Sequence, residues 1–132
     1  MENLKSIQAM YNAVATGDFP TFLNGMNEVI EWNEAENFPY ADGNPYIGPG
    51  AVAAGVFGRL ANDWEYWTLS DLEYHDSPAD KVIVTGRYNA KHKQTGKIIK
   101  AQFTHVWTCR NGKATRFQQY TDTKQVADAM NP

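Results

Sequence analysis

The sequence predicts an α+β domain in which N-terminal helices pack on one face of a curved antiparallel sheet. Apolar residues recur every three or four positions up to about residue 62, whereas they alternate with polar residues from Trp64 onward. Thr95-Gly96 and Asn111-Gly112 separate alternating runs, which is the sequence pattern of consecutive β-hairpins. The predicted element order is therefore α-α-β-α-β-β-β-β, within a single domain of 132 residues.

The N-terminal part is predicted to form two helices and a strand. Residues 3–16 carry an apolar stripe at helical spacing, and Gly17 is suited to end that helix. Asp18 is suited to cap a second, short helix that has Pro20 in its first turn. Residues 28–33 are short, β-branched and aromatic, which predicts the first strand.

The middle of the chain is predicted to contain a long loop and a third helix. Residues 34–48 include two prolines, two glycines and three large aromatic residues, so they cannot form a regular element. Loops of this length in a small domain are often functional. Pro49 suits the first turn of a helix whose apolar spacing continues to about residue 62.

The C-terminal half is predicted to form a four-stranded antiparallel meander and a short closing helix. The strands cover residues 64–75, 81–92, 97–109 and 114–122, and the helix covers residues 123–130. Because Trp64 and Trp67 have opposite parity in an alternating strand, we expect that they do not both face inward.

Composition disfavours several function classes. The net charge of −3 disfavours a nucleic-acid-binding surface, and no apolar run approaches the ~20 residues that cross a bilayer. The single cysteine, Cys109, excludes an intramolecular disulfide, and it argues against a zinc site together with the lack of closely spaced histidines. The N-terminal residues lack the pattern of a signal peptide, so we expect a cytoplasmic location. We also expect no metal, no nucleic-acid partner and no membrane contact.

Short motifs are spread along nearly the whole chain. They are Tyr11-x-Ala13-Val14-x-x-Gly17-Asp18, Gly48-Pro49-Gly50-Ala51-Val52, Thr95-Gly96-Lys97, His105-Val106-Trp107, Asn111-Gly112-Lys113 and Tyr120-Thr121-Asp122. In these motifs the chain resembles the nuclear transport factor 2-like (NTF2-like) superfamily, in particular its SnoaL-like branch, from about residue 4 to residue 130. The resemblance implies a cone-shaped shell with a deep pocket, a homodimer formed through the outer face of the sheet, and enzymes that typically use no cofactor.

His105 is the first candidate for proton chemistry. Strand alternation puts it on one face together with Phe103 and Trp107. By resemblance, His105 occupies the position at which ketosteroid isomerases carry an acidic oxyanion-hole donor, and Phe103 and Trp107 line the cavity beside it. A neutral imidazole there could donate a hydrogen bond to an enolate or act as a base near pH 7. The alternative is a core histidine that bonds to a backbone group or a hydroxyl.

Asp122 and Tyr11 are further candidates. Asp122 follows Tyr120 at the end of the last strand, where by resemblance SnoaL-like cyclases carry an acid/base aspartate. A carboxylate in an apolar pocket would have a raised pKa, which suits that role, whereas the alternative is that Asp122 caps the closing helix. By resemblance to ketosteroid isomerases, Tyr11 could donate to the substrate oxygen. The alternatives are that Tyr11 only packs in the core and that Met10 holds this position.

Glutamates stand near the position of the aspartate that is the general base of ketosteroid isomerases. Residues 28–36 contain no aspartate, but Trp32 is followed by Glu34 and Glu36. A glutamate can transfer the same proton. The alternative is that both glutamates are solvated loop residues.

An aromatic-rich pocket would hold a small, flat, mostly apolar ligand. Arg87 and Asp122 supply only part of the Asp-Arg-Asp group of epoxide hydrolases of this fold, so that activity is disfavoured. The candidate ligand-binding residues are Trp32, Glu36, Tyr40, Tyr46, Phe57, Trp64, Arg87, Phe103, Trp107 and Tyr120.

The predicted function is cofactor-free acid/base chemistry on a small, mostly apolar carbonyl compound. The candidate proton carriers are Asp122, His105, Tyr11 and Glu34. One alternative is a protein that binds a ligand in the same pocket without turning it over, and another is a domain that binds a protein through an aromatic surface. Converging titratable groups in a cavity would favour the enzyme, an apolar lining would favour the binding protein, and an exposed aromatic patch would favour the interaction domain.

Overall fold

The computed structural model describes residues 2–132 and confirms the α+β class. Its helices are α1 (Glu2–Ala15), α2 (Phe19–Asn24), α3 (Pro49–Val52), α4 (Gly58–Asp63) and α5 (Thr123–Met130). Its strands are β1 (Met26–Asn33), β2 (Tyr46–Ile47), β3 (Trp64–Ser77), β4 (Lys81–His92), β5 (Ile98–Arg110) and β6 (Lys113–Thr121). The two-residue strand β2 is an addition to the predicted order, and it lies inside the segment predicted to be irregular.

The strands form one curved, unclosed sheet in the order β2-β1-β6-β5-β4-β3. β3 to β6 make the predicted antiparallel meander. β1 pairs with β6 in parallel, which the expectation of an antiparallel sheet missed. This parallel pairing is possible because a long crossover, through the third helix and four strands, β2 to β5, separates β1 from β6 along the chain.

The break between α1 and α2 follows the predicted signals. Gly17 has a φ of 80°, in the left-handed region that glycine favours. The Asp18 carboxylate accepts hydrogen bonds from Thr21 N at 3.2 Å and from Thr21 Oγ1 at 2.6 Å. Asp18 therefore caps α2 as predicted, and α2 folds back against α1.

The predicted third helix is continuous over residues 49–63 but contains a π-helical turn. This turn, Ala53–Phe57, joins α3 to α4. Such turns often lie at functional sites. At Gly55 a β-carbon would lie 2.2 Å from the ring of Tyr46, so a glycine is needed where the helix meets the preceding loop.

β3 bends at two irregularities. Its register against β4 shifts between Trp64 and Tyr66 and again between Ser70 and Glu73. Asp71, inside the second shift, has a φ of 56°. A bulge bends a strand and changes the alternation of the side chains that follow it, so β3 curls and does not keep one parity along its length.

The core lies on the inner face of the sheet. Alternate residues of β4, β5 and β6 are buried there, and the Phe117 ring stacks on Trp32 of β1 with 3.7 Å between ring centroids. Within residues 2–132, no helix has the length and apolar character needed to cross a membrane.

Candidate functional site

A cavity of about 610 Å³ lies between the inner face of the sheet and the helices. Its size and its mostly aromatic wall fit a small aromatic ligand. The aromatic lining residues are Tyr11, Phe19, Phe22, Trp32, Phe38, Phe57, Trp64, Tyr66, Trp67, Tyr88, Trp107 and Phe117.

The polar groups of the cavity are few, and all of them except Glu65 and Tyr66 of β3 are buried. The most exposed lining residues belong to α4 and to the start of β3, so the mouth lies between these two elements. A ligand would therefore pass a mostly apolar rim before its polar atoms meet the polar part of the lining. The buried polar lining residues are Tyr11, Glu34, Tyr88, His105 and Gln119.

Trp64 and Trp67 both line the cavity, so the expectation that only one of them faces inward was wrong. Their rings meet edge to face with 4.9 Å between centroids. The register shift between Trp64 and Tyr66 inserts an extra residue into β3 and turns the following side chains to the opposite face. Simple alternation does not foresee such a bulge.

His105 stands at the centre of a buried network with two tyrosines. Its Nδ1 lies 2.6 Å from the Tyr11 hydroxyl, and its Nε2 lies 2.6 Å from the Tyr88 hydroxyl. Burial lowers the pKa of His105 to about 3, so the ring is neutral at pH 7. A neutral imidazole donates one of these two hydrogen bonds and accepts the other.

Two further N–H groups complete this network. Trp107 Nε1 donates to the Tyr11 hydroxyl at 2.8 Å, and Gln119 Nε2 donates to the Tyr88 hydroxyl at 2.8 Å. Gln119 Oε1 accepts a hydrogen bond from the backbone N–H of Ala35 at 3.0 Å, which fixes the orientation of the amide. Burial raises the pKa of both tyrosines well above the ordinary value, so both hydroxyls stay protonated.

Glu34 is a buried carboxyl in the same cavity. It directly follows β1 and is only 3% exposed. Its Oε2 accepts a hydrogen bond from Trp32 Nε1 at 3.0 Å. Burial raises the pKa of Glu34 to about 7, although the hydrogen bond from Trp32 acts in the opposite direction. The carboxyl can therefore give or take a proton near neutral pH.

The loop after β1 fixes Glu34 through its backbone. Asn44 Oδ1 accepts from Glu34 N at 3.0 Å, and Asn44 Nδ2 donates to Glu34 O at 2.8 Å. Gln119 holds Ala35, the next residue, and the same amide contacts Tyr88. Gln119 thereby ties the Glu34 segment to the His105 network.

Tyr40 and Tyr46 are buried residues of the segment between β1 and α3, and they do not line the cavity. The Tyr40 hydroxyl donates to Asp63 Oδ2 at 2.5 Å, and the Tyr46 hydroxyl donates to Tyr40 O at 2.6 Å. Arg59 lies over the Tyr40 ring, 4.5 Å from its centroid, and donates to both Asp42 carboxylate oxygens at 2.7 and 3.1 Å. These contacts anchor the loop, so the two tyrosines support the site from outside its lining.

Asp122 lies outside the cavity, which corrects the expectation that it faces a pocket together with His105. Its carboxylate accepts hydrogen bonds from Gln125 N at 3.3 Å and from Gln125 Nε2 at 2.9 Å, and so caps α5. These hydrogen bonds lower the pKa of Asp122. An apolar pocket would have raised it, so the capping alternative describes this side chain.

Four candidate ligand-binding residues also lie away from the cavity lining. Glu36 is an exposed loop residue. Arg87 and Tyr120 border a shallow polar cleft on the outer face of the sheet, because both have the outward parity of their strands. Phe103 is buried and stacks on His105 with 4.0 Å between centroids, so it supports the imidazole. The candidates Trp32, Phe57, Trp64 and Trp107 do line the cavity.

The sequence interpretation missed Tyr88, Gln119 and Asn44. Tyr88 and Gln119 have the inward parity of β4 and β6, so strand alternation carried a signal for both. Asn44 lies in the irregular loop, where no periodic pattern indicates which backbone groups a side chain will bind.

The site therefore combines one buried carboxyl, Glu34, with a hydrogen-bonded group of hydroxyls around His105. Within residues 2–132, no group of three or more His, Cys, Asp or Glu side chains is arranged to hold a metal ion. The chemistry that these side chains can supply is proton transfer and hydrogen-bond donation to a ligand oxygen.

This fold and cavity define a class of small α+β proteins whose helices close a curved sheet over an aromatic cavity. A family model described as a SnoaL-like domain matches residues 7–117. The chain belongs to this SnoaL-like family of the NTF2-like superfamily.

Solved structures agree with this assignment. An NTF2-like protein of Burkholderia thailandensis is 34% identical, with 98% of each chain covered and a TM-score of 0.91. TerC, crystallised with polyporic acid, is 25% identical over 100% of each chain, with a TM-score of 0.87. A candidate polyketide cyclase of Pseudomonas putida, 15% identical, shares the fold over 98% of each chain with a TM-score of 0.82. The chain has no match among curated proteins.

Proposed function

We propose that this protein is a cofactor-free acid/base enzyme, of isomerase, cyclase or dehydratase type, that acts on a small, mostly apolar carbonyl compound. The observation that carries the proposal is that Glu34 and the Tyr11–His105–Tyr88 network line one cavity. Proton abstraction next to a carbonyl needs a base that titrates near the working pH and a donor for the carbonyl oxygen. The two groups supply these two parts.

In the proposed reaction the Glu34 carboxylate removes a proton from the carbon next to the ligand carbonyl. The electron pair of the C–H bond moves toward the carbonyl oxygen, which a tyrosine hydroxyl stabilises by a hydrogen bond. Because the pKa of Glu34 is about 7, the carboxyl is partly ionised at neutral pH and is a stronger base than an exposed glutamate. Protonated Glu34 then returns the proton to the ligand.

The cavity wall supports an aromatic ligand. TerC was crystallised with polyporic acid. As a chemical, polyporic acid is a diphenyl-substituted dihydroxybenzoquinone, so it joins apolar rings to carbonyl and hydroxyl oxygens. A ligand of this class would place its rings among the tryptophans and its oxygens at Glu34 and the two tyrosines. We propose polyporic acid as a binding probe for this chain.

Binding without turnover is the second candidate function. Apart from the five buried polar side chains, the cavity lining is almost entirely apolar and aromatic, and this favours binding without turnover. Such a wall can hold a flat ligand without any chemical step. Turnover of a simple enolisable ketone therefore separates the two functions.

Allyl phenyl ketone is the substrate for this test. Its protons next to the carbonyl are removable, and movement of its double bond into conjugation is followed by ultraviolet absorbance. We expect turnover by the wild type and a loss of at least about 100-fold in kcat/KM in Glu34→Gln. Binding of polyporic acid should be retained, because glutamine keeps the shape of the side chain and its NH₂ group can donate to a ligand oxygen.

Glu28→Gln is the matched control, because Glu28 is an exposed residue of β1, the strand that Glu34 follows. It should turn over the ketone like the wild type. No turnover above the buffer rate, together with retained binding of polyporic acid, would contradict the enzymatic function and support the function of binding without turnover.

We also propose that two copies of the chain associate through the outer face of the sheet. Ile83 and Val106 pair across β4 and β5 on this face, and both remain partly exposed. Light scattering should give twice the monomer mass, and Ile83→Lys should shift the protein toward monomer. A monomeric wild type at every concentration tested would contradict this arrangement.

A further inference from the structure

The side chains of Tyr11, His105 and Tyr88 form a hydrogen-bonded chain that has three donor protons but only two internal hydrogen bonds. Each phenol brings one O–H, and the neutral imidazole brings one N–H. Only two hydrogen bonds, of 2.6 Å each, join the three side chains. One O–H is therefore left over.

The tautomer of His105 decides which tyrosine carries this free O–H. When Nδ1 is protonated, it donates to Tyr11, Tyr88 donates to Nε2, and Tyr11 keeps the free O–H. When Nε2 is protonated, the directions reverse and Tyr88 keeps it. Both arrangements use the same two contacts.

The neighbouring side chains cannot accept the free O–H. The Trp107 indole only donates, and its N–H is directed at Tyr11. Gln119 turns its NH₂ group toward Tyr88, because its oxygen already accepts from Ala35 N. Since both tyrosines line the cavity, the free O–H is available to a ligand or water there.

Glu34 lies at the Tyr88 end of this chain. Burial is the main cause that raises the pKa of Tyr88, and the charge of nearby Glu34 adds to it. Gln119 connects the two groups, since it binds Ala35, the residue after Glu34, and also the Tyr88 hydroxyl. A proton on Glu34 can therefore reach the Tyr88 oxygen across water in the cavity.

We propose that Tyr88, His105 and Tyr11 form a proton wire that carries the proton taken up by Glu34 to the ligand oxygen, so that the reaction passes through a neutral enol. This inference rests on the proposed function. It also narrows the reaction class to an isomerisation in which a carbon–carbon double bond moves.

In the forward half of the cycle, the ligand C–H bond breaks and its proton joins Glu34, while its electron pair forms the double bond of the enol. Glu34 protonates the Tyr88 oxygen, and Tyr88 passes its own proton to His105 Nε2. His105 gives up its Nδ1 proton to Tyr11, and Tyr11 gives its free proton to the ligand oxygen. The ligand is then a neutral enol, and His105 has changed tautomer with no net charge left on the wire.

The return half restores every group. The enol O–H protonates Tyr11, the transfers run backward, and Glu34 protonates a different carbon of the ligand. An isomerisation therefore closes the cycle without a proton from solvent. A dehydration would consume the Tyr11 proton and leave His105 in the opposite tautomer after each turnover, which is why isomerisation fits the wire better.

His105→Gln tests the wire. A glutamine amide has a donor and an acceptor, so it can bond to both tyrosines, but it cannot exchange the two roles by moving a proton. We expect kcat on allyl phenyl ketone to fall at least about 100-fold, and the Kd of polyporic acid to change by less than about threefold. His75→Gln, at an exposed histidine of β3, is the control and should behave as the wild type.

The outcomes separate the wire from the proposed function. Turnover by His105→Gln close to the wild-type rate, with Glu34→Gln inactive, overturns the wire and leaves the proposed function standing. Loss of turnover together with loss of polyporic acid binding shows that His105 only maintains the cavity, and it also overturns the wire.

Nitrogen-15 chemical shifts of the His105 ring test the wire without turnover. Two exchanging tautomers place both ring nitrogens between the values of a protonated and an unprotonated nitrogen. A ring that stays protonated on Nε2 with and without polyporic acid overturns the wire, because Tyr11 then has no free O–H to give to the ligand. This measurement remains decisive if the wild type does not turn over the ketone, a result that would contradict the proposed function.

Discussion

Glu34 is the residue on which the proposed chemistry depends. Its carboxyl is buried with one side-chain donor, Trp32 Nε1, so its anion is poorly solvated compared with water. This penalty on the charged form is the reason that the pKa of Glu34 is about 7. The burial that makes Glu34 a useful base must therefore also cost the protein stability at high pH.

The stability of the folded protein should fall as pH rises, because the folded state holds the Glu34 proton more tightly than the unfolded state. The pKa changes from the ordinary 4.5 to about 7 on folding. The contribution of Glu34 is thus fully present below pH 4.5 and is lost as pH rises through about 7. The total loss should be about 3 kcal/mol.

Urea denaturation of the wild type and Glu34→Gln across this pH range measures the effect. The variant should lack this part of the pH dependence and should be the more stable protein at alkaline pH. Parallel pH profiles of the two proteins would show that Glu34 titrates alike in the folded and unfolded states.

At the level of elements, the site joins rigid strands to one anchored loop. β4, β5 and β6 position Tyr88, His105 and Gln119, whereas the loop after β1 positions Glu34. Backbone hydrogen bonds to the neighbouring strands hold these strand residues in place. The backbone of Glu34, by contrast, is held by the side chain of Asn44. We therefore expect the carboxyl to be the part of the site most easily displaced.

Asn44→Ala should lower kcat on allyl phenyl ketone by at least about tenfold, because small displacements of a catalytic group are costly. The variant removes both hydrogen bonds that hold the Glu34 backbone. Asn62→Ala, at an exposed residue of α4, is the control and should keep the wild-type rate. A normal kcat in Asn44→Ala would mean that Glu34 is positioned by its own burial alone.

Asp122→Ala should reduce the free energy of unfolding by about 1 kcal/mol and leave kcat unchanged. The reason is that Asp122 caps α5 and lies outside the cavity. Chemical denaturation and the allyl phenyl ketone assay measure the two effects. A fall in kcat greater than about tenfold, with only a small loss of stability, would show that Asp122 takes part in the reaction.

At the scale of the whole molecule, the curved sheet and the helices enclose a cavity with an aromatic wall. The polar groups of this cavity that could bind a ligand lie buried behind a mostly apolar rim. Because the rim is apolar and the polar groups lie deeper, a ligand should bind in one orientation, with its rings toward the mouth and its oxygens inward. This polarity fits an aryl carbonyl compound better than a uniformly apolar one.

The sequence predicted the parts of this molecule that follow from periodicity. Alternation places His105 on the inward face, and the cap at Asp18 follows from its residue type and position. Trp67 could not be placed, because a bulge in β3 reverses parity without a sequence signal. The burial of Glu34 was equally hidden, since it depends on a hydrogen-bonded loop whose side-chain contacts, such as those of Asn44, have no period.

The pH dependence of kcat/KM for allyl phenyl ketone is the decisive measurement, because it reports the ionisation of the base in the free enzyme. If Glu34 removes the proton, kcat/KM should rise about tenfold per pH unit below about pH 7 and level off above it. Glu28→Gln should give the same profile. A rate that does not change across this range, or one that Glu34→Gln retains, would contradict proton abstraction by Glu34.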